Sequence, residues 1–180
     1  MIKIGFPAPD WNGAVAYQKG KFIKLSLADY KGKWLALFFY PRDFTYICPT
    51  ELRAFAAQKA DFGKLKAEIV ACSTDSEWSH KAWMEHDLPQ VDYPVIADTT
   101  HQIAARYDVL NEESGAAERG TFLIDPEGIV RYIVVSSEQV GRSVKETLRV
   151  LQALETEERC PAEWHPGEPT LGKPDQNKKS

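Results

Sequence analysis

The sequence has few cysteines and no long apolar run. Its 180 residues include three cysteines, an odd and low number that does not support the disulfide framework of a secreted protein. No apolar stretch approaches the roughly 20 residues that a membrane-spanning helix needs. The first residues, Met1 to Phe6, lack the long apolar region of a signal peptide, and there is no Asn-x-Ser/Thr sequon. These absences favour a cytoplasmic protein in which any disulfide is transient.

Motifs for nucleotides, metals and thioredoxin-type exchange are absent as well. Because there is no Gly-rich phosphate loop, we predict no nucleotide or flavin cofactor. The lack of a Cys-x-x-Cys pair argues against a thioredoxin-type disulfide reductase. No zinc-ligand spacing, and hence no metal site, is found among Cys72, Cys160, His80, His86, His101 and His165. A net charge of −4 and a pI of about 5.6 give no reason to expect nucleic acid or an anionic membrane.

What is present indicates one α/β domain. Hydrophobic residues make up 43% and charged residues 27%, as in ordinary globular proteins. The patterns predict strands at 14–18, 21–27, 34–40, 68–73, 94–97, 121–124 and 129–135, and helices at 51–62, 77–86, 99–107 and 143–155. This order predicts a layered sheet with parallel and antiparallel pairs. We assign residues 1–160 to this domain and 161–180 to a C-terminal tail, mobile at its end, Asn177–Ser180.

One stretch combines a buried strand ended by proline, a turn, and a helix start. The apolar run from Trp34 to Tyr40 predicts a buried strand. Pro41 ends it, because proline cannot donate to a sheet ladder. Cys48 then precedes a helical pattern that begins at about Glu51. Ligand sites in α/β sheets lie just past the carboxyl ends of strands, so the sequence places Cys48 at such a position.

That position favours a reactive thiolate at Cys48. A free cysteine, with a pKa of about 8.5, is mostly protonated at pH 7, but a helix dipole and a nearby cation favour the anion. The Thr45 hydroxyl is placed to hydrogen-bond a thiolate or a substrate oxygen, and Pro41 to screen the site from water. Pro49 disfavours the α region for the residue before it, which predicts a metastable first helical turn. The alternative is an ordinary buried cysteine.

The segment Phe39–Glu51 resembles the active-site signature of the peroxiredoxins, and most closely that of bacterial alkyl hydroperoxide reductase peroxidase subunits and typical two-cysteine enzymes. The family pattern Pro-x-x-x-Thr-x-x-Cys falls on Pro41, Thr45 and Cys48. The resemblance, which extends to about Trp164, implies a thioredoxin-like fold and a cofactor-free, thiol-dependent peroxidase for hydrogen peroxide and alkyl hydroperoxides. Cys48 would attack the distal peroxide oxygen, Thr45 would contact thiolate and peroxide, and Pro41 would shield them.

The resemblance also assigns two arginines to the site. Arg119 matches the family's active-site arginine, and it would favour the thiolate and steady the negative charge as the O–O bond breaks. Arg142 matches a second arginine that supports the site. Without the resemblance, each would be read as a surface charge. Glu51 either bridges these arginines or faces water.

Cys160, in Arg159-Cys160-Pro161-Ala162-Glu163-Trp164, resembles the family's resolving-cysteine segment, although arginine replaces the usual valine before it. A resolving thiol attacks the sulfenic acid, giving a disulfide and water. In the typical two-cysteine class this thiol comes from a second subunit, which implies an antiparallel homodimer, often assembled into decamers. Thioredoxin, a glutaredoxin-like protein and a flavoprotein disulfide reductase stay open as electron donors. Cys72 is interpreted as core filler.

Two departures from the family bear on regulation. The loop Glu113–Glu118 stands where sensitive members carry Gly-Gly-Leu-Gly, and no Tyr-Phe follows Cys160. We therefore expect the sulfenic form to unfold readily and to be resolved before over-oxidation. Two other functions stay open: a one-cysteine peroxidase served by an external thiol, and a redox-sensing or chaperone-like assembly.

Overall fold

The chain folds into two compact units in a computed structural model that describes residues 1–174. The first unit is residues 1–142, and the second begins at Ser143. The end of the predicted tail, Asn177–Ser180, lies outside the described residues. No helix in the described part of the chain is long and apolar enough to cross a membrane.

The first unit alternates strands and helices. Its strands are β1 (Ala14–Gln18), β2 (Lys21–Leu25), β3 (Trp34–Phe39), β4 (Ala67–Ser73), β5 (Val95–Ala97), β6 (Arg119–Ile124) and β7 (Val130–Ser136). Its helices are α1 (Cys48–Lys64), α2 (Glu77–His86) and α3 (Gln102–Arg106), with a 3₁₀ turn at Leu27–Tyr30. The second unit contains α4 (Val144–Glu155).

The strands form one mixed sheet in the order β2-β1-β5-β4-β3-β6-β7. The pairs β3–β4 and β4–β5 are parallel, whereas β3–β6, β6–β7, β1–β2 and β1–β5 are antiparallel. The α/β class with a mixed sheet is thus confirmed. Because β6 runs opposite to β3 and Thr121 pairs with Phe38, β6 begins at the edge where β3 ends. Arg119 is therefore brought to the strand end from which the chain leads to Cys48.

β3 is buried on both faces of the sheet, as its uninterrupted apolar run predicts. On one face, Phe38 stacks on Phe55 of α1 with ring centroids 4.0 Å apart. On the other, Phe39 packs against Tyr107 and Phe122, with centroids 5.4 and 5.8 Å away. Consecutive side chains of β3 thus pack on opposite faces of the sheet, one against α1 and the other against the residue that follows α3. This double anchorage fixes the strand end that precedes the cysteine loop.

Element boundaries differ from prediction mainly at helix ends. The predicted start of α1 at about Glu51 was wrong, because the helix begins at Cys48 with Pro49 in its first turn. Proline costs no hydrogen bond there, since the first N–H groups of a helix have no partner within it. α3 is shorter than the predicted 99–107, because His101 before it has a left-handed φ of 61°.

The second unit is built on an amphipathic helix and a segment that folds back. The Ser143 hydroxyl accepts from the amide of Glu146, which is half of a capping box. The Glu146 carboxylate pairs with Arg149 and does not return to the backbone of Ser143. Beyond the helix, Arg159 exchanges backbone hydrogen bonds with Leu171 and Gly172 at 2.8 and 3.0 Å. The chain from 160 to 171 is therefore a loop closed at its base.

Candidate active site

Cys48 is the first residue of α1 and is fully buried, with 0% of its surface exposed. A seven-residue loop, Pro41–Ile47, joins it to the end of the central sheet; we call this the active-site loop. The loop carries Phe44 at a φ of 54°, a left-handed conformation that costs about 1 kcal/mol or more for a residue with a Cβ. Contacts elsewhere in the loop must therefore hold this geometry.

Arg119 places a cation beside the sulfur. Its Nη1 lies 3.4 Å from the Cys48 Sγ and donates to the Glu51 carboxylate at 2.8 Å. Its Nε donates to the carbonyl of Glu138 at 2.7 Å, which fixes the plane of the guanidinium. Burial alone would lower the pKa of Arg119, but the neighbouring sulfur and carboxylate outweigh it, and the net shift is upward. The guanidinium is thus a permanent positive charge.

Glu51 lies between the two predicted arginines. Arg142 donates to it from its backbone amide, Nε and Nη2, each at 2.8 Å, and uses Nη1 for the carbonyl of Gly120. Burial alone would raise the pKa of the Glu51 carboxyl, but the hydrogen bonds and charge of Arg142 hold it below its ordinary value. The carboxylate is one helical turn from Cys48 and stays ionised, as an anchor for both cations.

The side chains beside the Cys48 sulfur carry a net positive charge. The two guanidinium groups and the single carboxylate sum to one positive charge, and all three side chains are 2 to 3% exposed. Unbalanced charge is costly in an interior of low dielectric constant. The sulfur of Cys48 lies 3.4 Å from Arg119, one of the two cations. A buried sulfur beside a cation is the setting of reactive cysteines, which makes Cys48 the candidate nucleophile of this site.

The other two predicted residues lie in the active-site loop. Pro41 is buried, as a shield against water requires, whereas the Thr45 side chain is exposed. The Thr45 hydroxyl donates to the carbonyl of Arg42 at 2.9 Å. The structure thus joins Cys48, Arg119, Glu51 and Arg142 in one network, and the Thr45 hydroxyl is directed to its own loop.

Sequence reasoning missed a second buried network that holds this loop. The Asp43 carboxylate accepts from the hydroxyls of Tyr40 and Ser79, both at 2.7 Å. It also lies 2.8 Å from Nδ1 of His80, whose Nε2 lies 3.1 Å from the carbonyl of Ile96. His80 lacks zinc-ligand spacing, and its position in the sequence does not reveal Asp43 as its partner. The signal in the sequence that could have indicated this network is the position of His80 on the apolar face of α2, directly after the central strand β4.

The remaining cysteines have different surroundings. Cys72 lies in the core on β4, where burial, with the nearby Asp98 carboxylate, raises the pKa of its thiol well above the ordinary value. Cys160 is partly exposed, with Sγ 3.5 Å from the Thr156 hydroxyl and 3.8 Å from the carbonyl of Ala153. Cys160 is therefore the more accessible of these two thiols. Within residues 1–174, no group of three or more His, Cys, Asp or Glu side chains is arranged to hold a metal ion.

Comparison with known proteins identifies the family. Residues 4–133 match the model of the AhpC/TSA family. A peroxiredoxin of Schizosaccharomyces pombe is 45% identical over 179 residues, covering 94% of this chain and 93% of its own. A thioredoxin peroxidase of Trypanosoma brucei rhodesiense is 44% identical over 178 residues, covering 94% and 89%.

A solved structure gives the same result for the fold. The reduced 2-Cys peroxiredoxin of Plasmodium vivax superimposes with a TM-score of 0.87 and 32% identity, covering 93% of this chain and 91% of that one. This likeness confirms the thioredoxin-like fold that the sequence resemblance implied. The chain therefore belongs to the AhpC/TSA family and is a peroxiredoxin, an enzyme with thiol peroxidase activity.

Proposed function

We propose that this peroxiredoxin reduces hydrogen peroxide and alkyl hydroperoxides through Cys48, and that Cys160 of a partner subunit resolves the oxidised cysteine. The observation that carries the proposal is the buried Sγ of Cys48 at 3.4 Å from the guanidinium of Arg119. This pair supplies a sulfur nucleophile together with a fixed positive charge. Antioxidant defence and redox homeostasis are the corresponding physiological role.

The first step is attack of the Cys48 thiolate on the distal oxygen of the hydroperoxide. An S–O bond forms as the O–O bond breaks, and the departing alkoxide takes up a proton to leave as an alcohol, or as water when the substrate is hydrogen peroxide. Arg119 steadies the negative charge that moves from sulfur to the leaving oxygen. Thr45 positions the peroxide, and Pro41 excludes water. Glu51 and Arg142 hold Arg119 in place.

The second step converts the sulfenic acid of Cys48 into a disulfide. The Cys160 thiol attacks the sulfenic sulfur, and the hydroxyl leaves with the thiol proton as water. The two sulfurs must then be about 2.05 Å apart, and Cys48 is fully buried, so the active-site loop has to shift. The partial exposure of Cys160 suits an incoming resolving thiol.

A homodimer is supported by the two edges of the sheet. The edge strand β2 carries Lys21 and Lys24, charges that discourage pairing with another strand. The opposite edge strand, β7, carries the run Ile133-Val134-Val135, and within residues 1–174 its strand partner is β6 alone. The N-terminal segment hydrogen-bonds β7 at Val130, and beyond that residue the apolar edge is a template for a second copy.

A further assembly of the dimers into a decamer is supported by exposed aromatic side chains. Phe44 is 59% exposed and Trp78 is 64% exposed, and Phe22 packs edge-on against Trp78 with ring centroids 4.7 Å apart. Exposed aromatic clusters of this kind mark protein–protein interfaces. The electron donor is thioredoxin or a flavoprotein disulfide reductase, and the cytoplasm is the proposed location.

The experiment that tests this function is a non-reducing denaturing gel of fully reduced protein treated with one equivalent of hydrogen peroxide. We expect a band at twice the monomer mass of 20.3 kDa, joined through Cys48 and Cys160 in peptide mass analysis. A monomer band with Cys48 oxidised but not linked would instead favour the one-cysteine mechanism. A monomer band in which Cys48 is still a free thiol would refute the proposed peroxidase function.

A further inference from the structure

The resolution step, as set out under the proposed function, depends on how easily the active-site loop opens. Cys48 is 0% exposed, so the contacts that fasten the loop govern how long the sulfenic acid stays in its pocket. On its buried side, the loop is held by Asp43 through Tyr40, Ser79 and His80. A different contact is needed on the solvent side, where most loop residues are exposed.

That contact is made by Arg42. Its Nη2 donates to the backbone carbonyl of Ser114 at 2.6 Å, across 72 residues of sequence. Arg42 directly follows Pro41 in the active-site loop, and its own carbonyl accepts the Thr45 hydroxyl at 2.9 Å. The side chain of one loop residue thus joins the active-site loop to the segment Asn111–Ala117, which we call the anchor loop.

The anchor loop is itself rigid. The Asn111 side chain accepts from the amides of Glu113 and Ser114 at 3.1 and 3.0 Å, and its backbone exchanges hydrogen bonds with Gly115 and Ala116. These bonds make a compact turn. Such a turn holds the Ser114 carbonyl in a fixed direction, so the bond from Arg42 restrains the active-site loop rather than moving with it.

A second bond fastens the anchor loop to the sheet. The Thr74 hydroxyl, just after β4, donates to the carbonyl of Gly115 at 2.9 Å. Gly115 has a φ of 69°, and a Cβ at this position would lie 3.2 Å from the His101 ring. The loop that stands in place of Gly-Gly-Leu-Gly is therefore seated tightly, and Arg42 binds to a fixed support.

We infer that Arg42 is a positioning residue that sets the partition of the Cys48 sulfenic acid between resolution and over-oxidation. While the loop is closed, a second hydroperoxide can react with the sulfenate: an S–O bond forms, the O–O bond breaks, and sulfinate and alcohol result. When the loop is open, the Cys160 thiol forms the disulfide and water leaves. The bond from Arg42 to Ser114 favours the closed loop and thus lengthens the exposure of the sulfenic acid to peroxide.

The first test measures loop opening in reduced protein, without any peroxide. Loss of one hydrogen bond of ~1 kcal/mol changes an opening equilibrium about fivefold. We therefore expect Arg42→Ala to exchange amide hydrogens about fivefold faster in peptides covering residues 41–50. Arg42→Lys, which keeps a charged donor, should restore part of the protection. Unchanged exchange in Arg42→Ala would overturn the inference.

The second test measures the partition itself, as the fraction of Cys48 found as sulfinic acid per turnover by mass spectrometry. At the same peroxide concentration, Arg42→Ala should give an about fivefold smaller fraction, with Arg42→Lys between it and the wild type. This ratio does not depend on the rate of the first oxidation. Equal fractions in Arg42→Ala and wild type, with disulfide formed in both, would overturn the inference.

A matched control is Arg106→Ala. Arg106 is also exposed and donates to a backbone carbonyl, that of Asp10, at 2.7 Å. Arg106→Ala should change neither the amide exchange of residues 41–50 nor the fraction of Cys48 found as sulfinic acid. If wild-type Cys48 gives neither disulfide nor sulfinic acid, the proposed function fails, and this outcome is recognised because it is shared by every variant. The exchange measurement on reduced protein still decides whether Arg42 restrains the loop.

Discussion

At the scale of single residues, the geometry of Arg119 matters as much as its charge. Its Nη1 is shared by the Cys48 sulfur and Glu51, while Nε reaches the carbonyl of Glu138. A lysine has one compact ammonium and cannot reproduce this planar arrangement. Arg119→Lys should therefore lower the second-order rate constant of Cys48 oxidation about 100-fold, as loss of a preorganised donor does. Rapid-mixing kinetics with hydrogen peroxide measures this constant.

The control for this change is Arg131→Lys. Arg131 pairs with Asp125 at 2.5 Å and its side chain is 44% exposed, on the strand next to the one that carries Arg119. The rate constant should stay within about twofold of wild type, because Arg131 pairs with Asp125, which follows the end of β6 opposite to Arg119. A wild-type rate constant in Arg119→Lys would show that positive charge alone, without the planar donor, is sufficient for the reaction.

At the scale of helices and strands, most of the sheet could be predicted because its signals are local. Strand β1 and helix α2 were predicted with the observed bounds, and Pro41 correctly marked the end of β3. The start of α1 was missed because the restriction that Pro49 places on Cys48 was weighed without the freedom of a first helical turn. The contact of Arg119 with Cys48 depends on the register of β3 and β6, and spacing along the chain does not contain that register.

The network around His80 could not be predicted from sequence spacing either, because its partners come from distant parts of the chain. His80 on α2 lies 2.8 Å from Asp43, 37 residues earlier, and both side chains are buried. Removal of the imidazole takes one partner from the buried Asp43 carboxylate, which keeps the Tyr40 and Ser79 hydroxyls, and it opens a cavity in the core. His80→Ala should therefore lower the free energy of unfolding by about 2–5 kcal/mol, as truncation of a large buried side chain does. Urea denaturation followed by circular dichroism measures the loss.

A histidine on the same helix provides the comparison. His86 pairs with Asp87 at 2.8 Å, but its side chain is 85% exposed. His86→Ala should change the free energy of unfolding by less than about 0.5 kcal/mol, since surface substitutions rarely do more. If His80→Ala and His86→Ala were equally mild, the buried network would not be what holds α2 and the active-site loop together.

At the scale of the whole molecule, the two edge strands of the sheet present opposite chemistry. Lys21 and Lys24 discourage strand pairing at the β2 edge, whereas the β7 edge offers backbone donors and acceptors beside aliphatic side chains. In a twofold dimer the same edge meets itself, so each substitution acts on both subunits. The proposed disulfide between subunits can form only if this association places Cys160 of one chain near Cys48 of the other.

Val135→Lys tests this edge, because Val135 on β7 is 51% exposed and has room for a longer side chain. Two like charges brought together in the dimer should raise its dissociation constant roughly tenfold or more. Sedimentation velocity measures that change, and the yield of linked dimer on a non-reducing gel should fall with it. Ala60→Lys, at an exposed position of α1, which packs on β4, adds the same charge away from the β7 edge and should leave both measurements as in wild type. Unaltered dimerisation of Val135→Lys would place the dimer contact elsewhere than β7.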